Sequence, residues 1–78
     1  MKHVIKTIHN ASGREVVEYV GKGTYYVNKE KYAVLVGNNI TEAKAYSSFT
    51  RAETAFKRLS ETCINLSNCD YEIIKIDD

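Results

Sequence analysis

Residues 50–66 read TRAETAFKRLSETCINL, and they carry the strongest pattern in the chain. Thr50 followed by Glu53 has the spacing of a capping box, in which the hydroxyl accepts from the N3 amide and the carboxylate returns to the cap amide. From there Ala52, Ala55, Phe56, Leu59, Cys63 and Leu66 recur on one side of a 3.6-residue period. Glu53 and Lys57 stand four apart in the orientation that favours an ion pair. The opposite side carries Arg51, Thr54, Lys57, Arg58 and Glu61. These features predict one amphipathic helix from Thr50, closed by SNCD at 67–70.

Around this helix the chain reads as strands. KHVIKTIH (2–9) ends at NASG, a cluster of turn formers, and REVVEYV (14–20) follows closely enough for an antiparallel hairpin. Gly21 to Gly23 interrupts the pattern, TYYV (24–27) resumes it, and NKEK (28–31) reads as a polar turn. YAVLV (32–36) is the most apolar run, the mark of a central strand, and GNN (37–39) is a further turn. ITEAKAYSSF (40–49) alternates small or apolar residues with polar ones, so a strand is preferred there over a short helical turn. YEIIKI (71–76) is the last strand. The expected fold is a single α+β domain over 1–78, in the order β-β-β-β-β-α-β. Its antiparallel sheet, of about five strands, carries one helix packed on one face. Val16 with Val17 and Tyr19, Tyr25 with Tyr26, and Ile73 with Ile74 put large apolar groups on both sides of their strands. That surplus predicts a homodimer or another partner on the side the helix leaves bare.

Composition narrows the function classes. With 78 residues, 44% hydrophobic and 27% charged, this is an ordinary globular chain. A domain of this size buries only about 60–65% of its unfolded surface, so its core is thin. No apolar run reaches the ~18 residues of a membrane span, and MKHVIKTIHN has no signal-peptide core, so a cytoplasmic protein without membrane contact is expected. In that compartment Cys63 and Cys69 are expected as free, mostly buried thiols, and Asn10, Asn39 and Asn65, each in an N-x-[ST] triplet, as turn residues. Net charge is +1, against indiscriminate polyanion binding, but residues 1–59 hold ten Lys or Arg against five acids. Residues 60–78 hold Lys75 against five acids, which fits a dipolar molecule with a basic side.

The motifs are sparse. Gly21-Lys22-Gly23-Thr24 lacks the spacing and the following helix of a phosphate loop. KGTYYVNK (22–29) matches the RNP1 pattern of RNA-recognition modules at Lys22, Gly23, Tyr26 and Val27, but Thr24 and Lys29 stand where stacking aromatics belong. The chemistry of such a surface can operate without the family: tyrosines stack bases and lysines neutralise phosphates. Alternation sends Tyr25 and Tyr26 to opposite faces, so only one of them can share a platform with Tyr19 or Tyr32. Cross-strand aromatic pairing is the plainer account of these tyrosines. His3, His9, Cys63 and Cys69 meet no zinc-knuckle spacing, and no nucleophile and base stand at a diagnostic distance, so no metal, cofactor or catalytic residue is expected.

A non-enzymatic binding protein is the resulting expectation. Its candidate contact residues are Tyr19, Lys22, Tyr25, Tyr26, Lys29, Lys31 and Tyr32, joined by Arg51, Lys57 and Arg58 of the basic helix side and by Lys44 beside it. A strand-rich body followed by YSSFTRAETAFKRLSE (46–61) and a final strand resembles the small accessory proteins of bacteriophages and mobile elements. The resemblance is one of overall style and assigns no residue a role. It implies an inhibitor or host regulator that sterically blocks a larger host protein or nucleoprotein complex. The alternative is direct binding of RNA or single-stranded nucleic acid by a Tyr/Lys sheet face.

Overall fold

The computed structural model describes residues 2–76. It is an α+β fold of four antiparallel strands and one helix. The strands are β1 (Lys2–Ala11), β2 (Arg14–Val27), β3 (Glu30–Leu35) and β4 (Asp70–Ile76), and the helix is α1 (Phe49–Thr62). The spatial order is β3-β2-β1-β4, so β1 and β2 are central and the last strand returns beside the first. Among the described residues no helix is long and apolar enough to cross a membrane.

Two hairpins build the first three strands. Ala11 pairs with Arg14 and Val27 with Glu30, leaving two-residue turns at Ser12-Gly13 and Asn28-Lys29. All four turn residues have positive φ, between 51° and 79°. That conformation gives a type I′ turn, whose twist matches that of the strands it joins. Gly13 accommodates it freely, whereas Asn28 and Lys29 hold it with side chains present.

The sheet has four strands where the sequence suggests about five, drawn from six strand segments, for two reasons. Residues 14–20 and 24–27 are one long strand: the glycines produce a bulge instead of a break. Register shifts between Val20↔Leu35 and Thr24↔Ala33, so two additional residues of β2 are accommodated there, with Gly23 at φ +85°. At Gly21 a Cβ would lie 2.6 Å from Val36 Cγ1 and 3.1 Å from Val34 Cγ1, so the valines of β3 and its extension close over a position that has room only for hydrogen. The strand expected over 40–49 is also absent. Ile40–Glu42 is a 3-10 turn capped by Asn39, and the chain then touches the sheet at a single bridge, Tyr46 with His3. The Lys44 amide donates to the Val20 carbonyl at 2.9 Å, so this segment fills the gap between the start of β1 and the bulge of β2.

The helix is where its periodicity places it, but its cap is two residues earlier. Ser48 Oγ accepts from the Arg51 amide at 3.1 Å, so Ser48 and not Thr50 is the N-cap, and Thr50 lies within the first turn. The helix stops at Thr62, and the core is reached by Cys63, the residue that caps it, and by Leu66 from a following 3-10 turn, Ile64–Leu66. Ala52, Phe56, Cys63 and Leu66 pack on Ile5, Val20 and Ala33, and the ring of Phe56 stacks on that of Tyr71 at 3.9 Å between centroids. Thr7, buried on this side, is satisfied by donating its hydroxyl to the Glu18 carbonyl at 3.0 Å.

One side chain closes an edge of the sheet. Asn65 Oδ1 accepts from the Ala33 amide at 3.0 Å and Nδ2 donates to the Ala33 carbonyl at 2.9 Å. A single amide thus reproduces the pair of bonds that another strand would make to β3.

Candidate functional site

Strand alternation and the strand registers sort the candidate residues onto two faces. Ile5, Val20 and Ala33 define the face under α1. Lys6 on β1 therefore points away from the helix, and so does its partner Tyr19. Tyr32, next to Ala33, and its partner Tyr25 point the same way. Three of the four tyrosines of 19–32 thus share the face that α1 does not cover. Tyr25 and Tyr32 stack on each other with centroids 5.4 Å apart and planes 13° from parallel. This is a cross-strand aromatic pair, and it leaves only the outer ring faces for anything else. The Tyr32 hydroxyl donates to Glu30 Oε2 at 3.3 Å; partial burial, then the Glu30 carboxylate, raise it above the usual phenol range.

Tyr26 takes the other face, opposite Lys31 in register, and is 67% exposed near the hairpin tip. Lys29 lies in the turn itself. Lys22, carried by the bulge, lines a separate hollow with Lys2, Ile40, Ala43, Lys44 and Ile76. The tyrosines and lysines of 19–32 are therefore dispersed, because a bulge and a strand period separate residues that are neighbours in sequence.

The bare face is broader than the tyrosines. Ile8 pairs with Val17, and Val4 with Ile74, on the side away from α1, with Val34 and Val36 continuing it across β3 and its extension. Ile8, Val17, Tyr19, Tyr32, Val34, Val36 and Ile74 are all only half-buried. At one end of this face the 40–45 connection runs beside Lys2 and Ile76, and Val4 is fully buried there. The remainder is an apolar sheet surface interrupted by Lys6 and Glu72, which sit opposite each other in register, and bounded by Asp70, opposite Ile8, and Glu15, opposite Asn10.

The basic side of α1 divides as well. Lys57 Nζ approaches Glu53 at 3.9 Å on the exposed helix surface, the i, i+4 pair the spacing predicts. Arg51 and Arg58 instead line an open groove of about 600 Å³ between α1 and the bulge of β2. Its other walls are Gly21, Gly23 and Thr24 from the bulge, Lys44 and Tyr46 from the bridging segment, and Thr50, Thr54, Ala55 and Leu59 from the helix. Lys44 Nζ stands 5.2 Å from the centre of the Tyr46 ring, whose hydroxyl is raised above the ordinary phenol range by burial. Tyr46 carries no signal in the linear sequence, because its place in the groove depends on the bridge to His3.

Among the described residues no three His, Cys, Asp or Glu side chains are placed to hold a metal ion. His9 Nε2 lies 3.2 Å from Thr7 Oγ1, and Cys63 and Cys69 are free thiols, with Cys69 Sγ donating to the Leu66 carbonyl at 3.7 Å. Burial raises the Cys69 thiol, which reduces its thiolate character.

No protein-family model, curated protein or solved structure matches the chain.

Proposed function

We propose that this chain is a cytoplasmic, non-enzymatic binding protein that acts as an inhibitor or regulator, sterically covering part of a larger protein or nucleoprotein complex. The observation that carries this reading is the uncovered sheet face. Seven large apolar side chains, Ile8, Val17, Tyr19, Tyr32, Val34, Val36 and Ile74, stay half-buried on one side of a sheet whose other side packs against α1. A contiguous apolar surface of this kind marks an interaction site more often than a solvated exterior. Its makeup, an aromatic and aliphatic centre with Lys6 and Glu72 within it and Asp70 and Glu15 at its border, suits an apolar protein surface rather than a polyanion. The resemblance to phage accessory proteins supports the inhibitory role.

Paired affinity captures from the native host, at moderate salt, test the reading. Wild type is compared with Val17→Lys, on the bare face, and with Lys57→Glu, on the helix exterior. The same partner retained by wild type and Lys57→Glu and lost by Val17→Lys supports it. A partner that survives Val17→Lys overturns it, and so does a self-association seen by light scattering that Val17→Lys abolishes with no heterologous partner retained, which assigns the face to a homodimer.

A further inference from the structure

We propose that the groove between α1 and the bulge of β2 binds a phosphate-bearing ligand of nucleotide size, either free or as one unit of a single nucleic-acid strand. The site lies on the helix side, so it is additional to the bare sheet face.

Three cations from two parts of the chain meet there. Lys44 comes from the bridging segment and Arg51 and Arg58 from the helix, and no acidic residue is among the lining side chains. Among the described residues none of the three is in an ion pair, whereas Lys57 on the same helix has its acidic neighbour Glu53. Gathering like charges without counter-charges disfavours the folded state, and a bound anion relieves that cost.

Arg51 is the most telling of the three. It occupies the first turn of α1, where the positive end of the peptide dipoles favours acids, and that turn contains no acid. A cation there adds to the unfavourable field. With an anion in the groove, the helix end and the guanidinium both become attractive.

Shape and spacing agree with the chemistry. Arg51 and Arg58 are seven residues apart, about 10.5 Å along the axis and on one side of the helix, with Thr54 between them to donate a hydroxyl. Ala55, Leu59 and the Tyr46 ring give the groove an apolar floor for a sugar or base, below the charged rim. The volume of about 600 Å³ lies within the range of sites that hold small ligands. The exposed bulge at Gly23, where nothing lies within 4 Å of an added Cβ, leaves the approach from β2 unobstructed.

Two probes test the proposal: adenosine monophosphate, followed by amide chemical shifts, and a fluorescein-labelled oligouridylate of roughly ten nucleotides, followed by anisotropy. Saturable shifts of the Thr50, Thr54 and Ala55 amides are expected. Arg51→Gln/Arg58→Gln, which removes charge but keeps polar side chains, should weaken binding by at least about tenfold and flatten the salt dependence by up to about 0.7 log units per lost phosphate contact for a strand. Lys57→Ala should bind as wild type, and unchanged amide spectra away from the groove check that each variant is folded. Binding of both probes assigns the site to nucleotides in general, and binding of the oligonucleotide alone assigns it to a strand; either supports the proposal. It is overturned if neither probe shifts the groove amides at millimolar concentration, or if Lys57→Ala weakens binding as much as the double variant does. The sheet-face reading stands or falls separately, since Val17 and Val34 are on the other side of the sheet.

Discussion

The two faces of this sheet are made by the same strands in alternation, yet the part under α1 and the part opposite it treat apolar residues differently. On the helix side Ile5, Val20, Phe56 and Leu66 are at most 4% exposed and touch one another. On the far side Ile8, Val17, Val34 and Ile74 are the same residue types, left half-exposed. Fold stability therefore resides mainly in one face, and the other keeps an apolar surface in contact with solvent. A 78-residue chain with one helix can cover only one side of its sheet, and the surplus becomes a surface.

The sharpest break of this contrast is a pair of truncations. Phe56→Ala should cost about 3–5 kcal/mol, enough to leave a domain of this size largely unfolded, while Val17→Ala should cost under about 1 kcal/mol. Urea denaturation of the two variants measures the difference, and near-equal losses would mean that the far face is as much a core as the near one. Next in size is Asn65→Ala, which leaves the Ala33 amide and carbonyl without their partner. A loss of about 1–3 kcal/mol is expected, with faster hydrogen exchange at Ala33 ahead of the rest of β3. Ser48→Ala should cost about 1 kcal/mol through the lost cap, and Thr50→Ala should be near neutral; the reverse ranking in thermal melts would restore the cap to Thr50.

The smallest effect is alkaline. Burial raises the Tyr46 phenol above its ordinary value of 10.0, so from about pH 10 the unfolded chain releases a proton that the folded one keeps. The unfolded state then binds fewer protons, and stability falls as pH rises through that window. Tyr46→Phe should show a shallower decline between pH 9 and 11 in denaturant midpoints.

How far the sequence discloses this molecule can be judged residue by residue. The helix is legible because Ala52, Phe56, Leu59, Cys63 and Leu66 repeat a period that local geometry enforces, even though the last two act from beyond its end. Its start is less so, since Ser48 and Thr50 are both good caps and only the packed position of Phe56 and Ala52 decides between them. Alternation at 41–49 misleads: of its small residues only Ala43 is buried, too little apolar area to hold a strand on the sheet. At Gly21 and Gly23 the same glycine chemistry serves a turn or a bulge, and tertiary pairing with β3 selects the bulge. The groove is illegible for a different reason. Arg51 and Arg58 are visible as a basic helix side, but Lys44 and Tyr46 join them only through hydrogen bonds to Val20 and His3. Asn65 reads as a turn residue, and nothing local announces a partner 32 positions away.

That asparagine also limits how copies of this protein can associate. Asn65 occupies the middle of the β3 edge, and among the described residues β4, at the opposite end of the sheet, has no side chain bonded to its backbone in the same way. Fibrillar growth by strand addition needs two competent ends, one to be captured and one to capture. A sheet with one end interrupted by a side chain is a poorer template for an endless ribbon, which leaves its apolar face less exposed to that hazard.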